Sequence, residues 1–279
     1  MYRFLFVALL LLMVSPILVS AQPETPIESW KGKTILLIGA HPDDDMYAAG
    51  TLAMLKAHGN EVYVALLTTG NVGTQDPSIE MFRLAEIRRQ EELSALSRLG
   101  IPADHYINLG YDDGLLEFAD RKEVVSQIVR LLRKIRPDVL FSFDPGKGAQ
   151  LWHKSDHRTA AYLTADAARA AMWRLLFQGQ IIHEGLQPFE VRTYILYDGD
   201  EKDKNLLVDI SGFTENKYEA DACYVSQRGS GWYKYTGPEM PAKEKEEFMA
   251  QQRKHQKMRD GKPVEGFRYY KGSIESIGR

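Results

Sequence analysis

Three adjacent carboxylates and an imidazole follow a short aliphatic run in the order Gly39, Ala40, His41, Pro42, Asp43, Asp44, Asp45. Acids crowded at a strand end repel one another unless a cation sits among them. Helix capping explains one Asp, through free N–H groups and the helix dipole, but not three beside a His. A dinucleotide site fits poorly, because the turn lacks G-x-G-x-x-G and its acids would repel a pyrophosphate. A second group, Asp144, His153, Lys154, Asp156 and His157, follows another apolar run. A helix opening near Asp156 as N-cap puts His157 in its first turn, where the ring can face the strand end carrying His41 and Asp44. For His153 alone, a packed or solvated ring is the plainer use. The chain has 7 His and a single cysteine, Cys223, so any metal must rest on imidazole and carboxylate.

These loops need elements to bring them together. Apolar runs at Thr34 to Gly39, Glu61 to Leu67, Tyr106 to Leu109 and Val139 to Phe143 read as strands buried on both faces. Between them, Asp45 to His58, Ile79 to Leu99 and Arg121 to Arg136 show helical spacing, with Gly59, Gly100 and Pro137 as stops. Such alternation predicts an α/β fold, a Rossmann-like, mostly parallel sheet flanked by helices, with the site beyond the C-terminal strand ends. Further along, the pattern predicts a helix from Asp156 to Phe177, strands at Val191 to Tyr197 and Leu206 to Ile210, and a helix from Phe213 to Ser226. Residues 228–279 are less regular: an aromatic Gly231-Trp232-Tyr233 loop, a charged helical run from Ala242 to Arg259, and Gly266 to Tyr270 of open form.

Composition narrows the partners. The chain has 279 residues, 44% hydrophobic and 26% charged, with a net charge of −3, so there is no global electrostatic pull toward nucleic acid. The charge is nevertheless polarised, since residues 228–279 hold 12 Lys/Arg against 7 Asp/Glu. At the start, Arg3 precedes an apolar run from Phe4 to Leu18, interrupted by Ser15 and Pro16 and followed by Val19, Ser20 and Ala21. That reads as a cleaved signal peptide over 1–21 rather than a stable membrane anchor, and places the mature protein in the periplasm or outside the cell. The expected organisation is then a linker over 22–30, one domain over 31–227 and an extension over 228–279 packed on it.

From about Thr34 to Gln227 the chain resembles the PIG-L (LmbE-like) family of zinc-dependent N-deacetylases. The resemblance rests on Ala40 to Asp45 for the family's A-H-P-D-D-E, and on Arg89 to Glu92 with Leu99-Gly100 for its R-x-x-E helix. It rests also on Leu109 to Gly114 for L-G-Y-P-D-G, and on Ser155 to Arg158 for the end of its H-P-D-H segment. It implies Zn2+ held by His41, Asp44 and His157, with Asp43 as general base. That agrees with the chemistry of two imidazoles and one carboxylate, which leave open positions on a tetrahedral ion. Arg89 and Asp113 are the substrate-binding candidates, against an Arg89–Glu92 ion pair and a D-G turn as plainer uses. Asp144 and Asp156 are placed to brace a ligand His.

This sequence departs from the family pattern at three points. Lys154 stands where the family has a His three residues before the metal His, and His153 lies one residue earlier, so either supplies the oxyanion donor. Tyr224 replaces a His before Ser226-Gln227. Asp45 replaces Glu and is expected to cap or brace the helix. The reading that results is an exported zinc hydrolase releasing acetate from an N-acetylglucosamine-type sugar or glycoconjugate. Trp152, Trp232, Tyr233 and Tyr235 are candidate stacking surfaces. The alternatives are a catalytically degenerate carbohydrate-binding protein, an amidase acting on larger acyl conjugates, and a nucleotide-binding domain supported by fold alone.

Overall fold

In the computed structural model, residues 22–146 and 154–277 are described. The expected signal peptide over 1–21, Trp152 and His153 lie outside them. In chain order the elements are β1 (Thr34–Gly39), α1 (Ala49–Ala57), β2 (Glu61–Thr68), α2 (Met81–Arg98), β3 (Tyr106–Tyr111), α3 (Arg121–Ile135), β4 (Val139–Phe143) and α4 (Ser155–Ala171). There follow α5 (Gln178–Ile182), β5 (Thr193–Tyr197), β6 (Leu206–Asp209), α6 (Thr214–Asp221), α7 (Ala242–His255), β7 (Met258–Arg259) and β8 (Lys262–Lys271).

The sheet runs β3-β2-β1-β4-β5-β8-β6, parallel from β3 through β5 and antiparallel where β8 joins β5 and β6. It is the expected α/β arrangement. Successive strands step one way from β1 to β3 and the other way from β4 to β5, so the switch point lies between β1 and β4. Loops leaving those two strands part there and open a crevice at their C-terminal ends. Apart from Thr34 and Gly39 in β1 and Ser142 in β4 both strands are aliphatic or aromatic, and all but Thr34 is buried. β3 differs from expectation: it is the sheet edge and only half-buried.

Helix boundaries follow local chemistry. α3 buries Val124, Ile128 and Leu132 at steps of four, starts at Asp120, whose carboxylate accepts from Glu123 N at 3.0 Å, and stops where Arg136 turns left-handed before Pro137. α4 ends at Ala171, six residues short of the sequence expectation, because buried Arg133 of α3 collects the carbonyls at its end. The guanidinium donates to Ala171 O at 3.3 Å, Trp173 O at 3.0 Å and Leu176 O at 3.0 Å. The first helix was expected from Asp45. Instead a 3-10 turn spans Asp44–Tyr47 after the left-handed Asp43, and α1 begins at Ala49, because Ala48 at φ −129° leaves helical backbone between the two.

The C-terminal extension enters the sheet itself. Glu265 of β8, buried, accepts from Gly50 N, Thr51 N and Thr51 Oγ1 at 3.1, 2.8 and 2.7 Å, satisfying the open start of α1, and pairs with Lys217 at 2.8 Å. Arg268 of β8 donates from Nε to Asp144 at 2.7 Å and makes a second contact through Nη2, with both side chains buried. Asp144 also accepts from Gly146 N at 2.6 Å. Its expected role beside a ligand His is therefore corrected: the cation of β8 captures it. Asp144→Ala leaves Arg268 charged in a dry site and is expected to lower unfolding free energy by about 3–5 kcal/mol, read by chemical denaturation. A loss below about 1 kcal/mol would mean the pair does not anchor the extension.

Candidate active site

The loop after β1 is a tight turn. Gly39 has no room for a Cβ, which would stand 2.9 Å from Asp44 Cβ and from Leu66. The Asp44 carboxylate folds back to accept from Ala40 N and His41 N, both at 2.7 Å. The left-handed backbone at Asp43 then separates neighbouring acids: Asp44 is buried beneath the turn, while the Asp43 side chain keeps 20% of its exposure at the cleft.

His41, Asp44 and His157 converge, with one donor atom from each lying within 4.8 Å of the others. His157 Nε2 lies 3.3 Å from Asp44 Oδ1, and His41 Nδ1 lies 3.6 Å from Asp44 Oδ2. The far nitrogens face carboxylates. His41 Nε2 is 3.0 Å from Asp113 and 3.4 Å from Asp156, and His157 Nδ1 is 3.6 Å from Asp198. Phe143, the last residue of β4, stacks on the His157 ring at 4.2 Å. Asp156 is fixed in turn by Gly114 N at 2.7 Å and Leu116 N at 3.3 Å, which ties α4 to the loop after β3.

Burial alone would depress the His41 pKa, but hydrogen bonds to Asp113, Asp156 and Asp44 push it up to about 12. His157 rises against its burial, through Asp198 and Asp44. Asp44, which burial would raise, is driven far below the usual carboxylate range by His157 and His41. The site demands positive charge. Two imidazoles whose outer nitrogens face carboxylates, with one carboxylate oxygen between them, suit a divalent ion of zinc's kind.

Asp43 lies outside that triad. Arg88 Nη2 is 3.2 Å from its Oδ1 and Arg228 Nη1 is 3.3 Å from its Oδ2, while Asp43 N donates to Glu92 at 3.2 Å. Arg228 is anchored by Asp221 at 2.8 Å. Beneath the turn, the Tyr224 hydroxyl lies 3.0 Å from Asp45 Oδ1 and 2.8 Å from Glu92 Oε2. A single phenolic proton cannot serve two buried carboxylates. Burial pushes Asp45 up to about 7 against the Tyr224 hydrogen bond, with the Asp43 and Asp44 charges adding to the rise, and Glu92 is raised well above its ordinary value.

An open cleft of about 890 Å³ is lined by the expected His41, Asp43, Asp44, Asp113, Lys154, Asp156 and His157. Arg89 is a correction: it is exposed and outside the cleft, whereas Arg88 lines it. The buried face of α2 carries Leu84, Ile87, Arg88, Glu91 and Glu92, and Arg89 lies about 100° further round. Glu92 meets Tyr224 and Asp43 N rather than Arg89. Asp45 braces the turn through Tyr224. Trp232 lines the cleft; Tyr233 and Tyr235 do not. Sequence reasoning missed Arg88, Tyr47, Asp198 and Arg228. Asp198 follows the last residue of β5, where the strand-end rule would have pointed, and Leu84 with Ile87 would have fixed the register of Arg88.

The PIG-L family profile, described as GlcNAc-PI de-N-acetylase, matches residues 36–168. The diacetylchitobiose deacetylase of Thermococcus kodakarensis is 32% identical over 196 residues, covering 70% of this chain and 70% of its own. A 1D-myo-inositol 2-acetamido-2-deoxy-alpha-D-glucopyranoside deacetylase of Catenulispora acidiphila is 28% identical, covering 76% and 81%. Among solved structures, the N,N'-diacetylchitobiose deacetylase of Pyrococcus horikoshii bound to an inhibitor superposes with a TM-score of 0.70 at 28% identity. That superposition covers 85% of this chain and 83% of the other.

Two outcomes are expected from this site. A zinc ion bound at this triad would displace protons from His41 and His157, so calorimetry near pH 7.5 in buffers of different ionisation enthalpy should show proton release, with affinity rising as pH rises. Absence of release would remove the imidazoles from the ligand set. Because the folded-state pKa of Asp45 lies above its unfolded value, its contribution to stability is complete below about pH 4 and lost as pH rises through about 7. Asp45→Asn should therefore raise Tm relative to the parent at pH 8 more than at pH 4. An equal shift at both pH values would contradict this reading.

Proposed function

Because the chain belongs to the PIG-L (LmbE-like) family of deacetylases, we propose that it is an exported, zinc-dependent hydrolase. Its substrate is an N-acetylglucosamine-type amino sugar, free or within a glycoconjugate. One observation carries the proposal: Asp43, a carboxylate outside the His41–Asp44–His157 triad, stands next to it in the cleft between two guanidiniums. A bound zinc ion supplies Lewis acidity for the acetamide carbonyl and lowers the pKa of a water.

Everything else is the work of side chains. Asp43 takes a proton from the attacking water and returns it to the nitrogen as the C–N bond breaks, leaving acetate and a free amine. Arg88 and Arg228 hold that carboxylate from both sides. Asp113, beside His41 at the cleft, is placed to accept from a sugar hydroxyl. Lys154, exposed at the start of α4 and lining the cleft, offers a cation for the developing oxyanion, and His153 beside it in sequence is the other donor.

Relatives that act on diacetylchitobiose and on an acetamido-glucopyranosyl inositol support the sugar class. The apolar stretch before Ala21 supports export, and an extracytoplasmic glycan follows from it. Among the described residues no helix is long and apolar enough to cross a membrane. Lys154 in the position of a family His favours one second reading, a sugar-binding protein that no longer cleaves.

Acetate release from N-acetylglucosamine, N,N'-diacetylchitobiose and muropeptide-like substrates tests the proposal. We expect activity to vanish on metal removal and return with zinc. Asp43→Ala should keep its zinc and lose about 10²–10⁴-fold in rate. Loss of the metal in that variant would exchange base and ligand. Separate substitution of His153 and Lys154 identifies the oxyanion donor by a loss of about 10²-fold or more, and no loss from either rejects both. Bound zinc and bound sugar without acetate would establish the binding protein instead.

A further inference from the structure

We propose that Asp198 is a positioning residue of the metal centre, fixing the ring of His157 from its outer nitrogen and being fixed itself by Tyr47. The inference rests on reading His41, Asp44 and His157 as metal ligands.

An imidazole that gives Nε2 to a cation must carry its hydrogen on Nδ1, and that hydrogen needs an acceptor. For His157, Nε2 is the nitrogen turned to Asp44 at 3.3 Å, and Nδ1 is turned to Asp198 Oδ2 at 3.6 Å. Phe143 covers one face of the ring at 4.2 Å and Tyr47 meets it edge-on at 6.4 Å. Packing thus confines the ring plane, but packing alone does not choose between the two tautomers. A carboxylate at Nδ1 makes that choice and raises the basicity of Nε2. His41 shows the same device, with Asp113 and Asp156 on its outer nitrogen.

The backbone is built for this placement. Asp198 follows the last residue of β5 with φ 56°, a left-handed conformation uncommon outside glycine. The other carboxylate of the cleft with a left-handed backbone is Asp43, at φ 106°. Strained conformations kept by acids at one site, and contributed by different strand ends, are the pattern of positions held for function. Tyr47 closes the arrangement. Its ring stacks on Tyr197, the residue before Asp198, at 5.4 Å with an interplanar angle of 16°, and burial together with the neighbouring Asp198 carboxylate holds its phenol well above the ordinary range. The order Tyr47, Asp198, His157 leads from the cleft surface to the metal position.

The test compares the parent, Asp198→Ala, Asp198→Asn and Tyr47→Phe. Zinc affinity is read by competition with a chromogenic chelator, and coordination by the visible absorption of the cobalt(II)-loaded proteins. We expect Asp198→Ala to weaken zinc binding about 10–100-fold and to alter the cobalt spectrum. Asp198→Asn keeps an acceptor of the same size and should recover most of the loss, a rescue that a merely structural role would not give. Tyr47→Phe, which preserves the ring stack, should weaken zinc in the same direction by a smaller factor and keeps the question answerable if the alanine variant does not fold. Zinc affinity within twofold of the parent in both Asp198→Ala and Tyr47→Phe, with an unchanged spectrum, would overturn the inference while leaving the triad intact. A parent protein that binds no zinc would overturn both the inference and the ligand reading beneath it.

Discussion

The structure is governed by charge compensation at one end of one sheet. Asp43, Asp44, Asp45, Glu92, Asp113 and Asp156 gather at the C-terminal ends of β1 to β4, most of them away from water. A buried carboxylate persists only with a cation, a donor or a proton of its own. Each solution is used, by a different acid. Asp44 takes two backbone N–H groups and two imidazoles, Asp43 takes two guanidiniums, and Asp156 takes the backbone of the loop after β3. Asp45 and Glu92 share one hydroxyl, and burial favours the protonated form of each. A dication between His41, Asp44 and His157 would take the place of the protons that the two imidazoles otherwise carry toward Asp44.

Compensation also separates roles along three consecutive residues. In a regular helix Asp43, Asp44 and Asp45 would fan out by about 100° each with no fixed division of labour. The left-handed backbone at Asp43 breaks that periodicity, leaving its side chain at the cleft, Asp44 beneath the turn and Asp45 buried against Tyr224. The conformation is unfavourable for a residue with a Cβ. What retains it is the set of bonds to Glu92, Arg88 and Arg228, so Asp43 and its supporting turn form one unit.

Much of this was legible in the residues. Alternating aliphatic runs and 3.6-period segments made β1 to β4 and α1 to α3 legible because β1, β2 and β4 are buried by their own composition and α3 carries an apolar stripe, whereas the edge position of β3 depends on the sheet order. The His41-to-Asp45 turn and His157 were legible because acids after a buried strand need a reason. Failures came where a tertiary partner decides. Arg89 was read from the R-x-x-E spacing, but helix phase relative to the core selects Arg88. Asp144 follows the end of β4, a chain position that suggests bracing a ligand His, yet Arg268, 124 residues later, captures it. The form of Gly266 to Tyr270 was illegible locally because β8 depends on insertion between β5 and β6.

The matched family segment ends at residue 168, whereas groups that hold its chemistry in place continue beyond it. His41, Asp43, Asp44 and His157 lie inside that segment. Tyr224 and Arg228, which steady the Asp43 turn, lie outside, as does Glu265, which seats the start of α1. The triad and Asp43 thus follow the first and fourth strands, while the turn that carries them is steadied by chain that folds back from the C-terminal side. A strand hydrogen-bonded on both edges transmits position to Glu265 and Arg268 with little play, which a loosely packed appendage would not. Sequence change in that later chain can therefore alter the shape of the cleft and the set of the Asp43 turn without touching His41, Asp44 or His157.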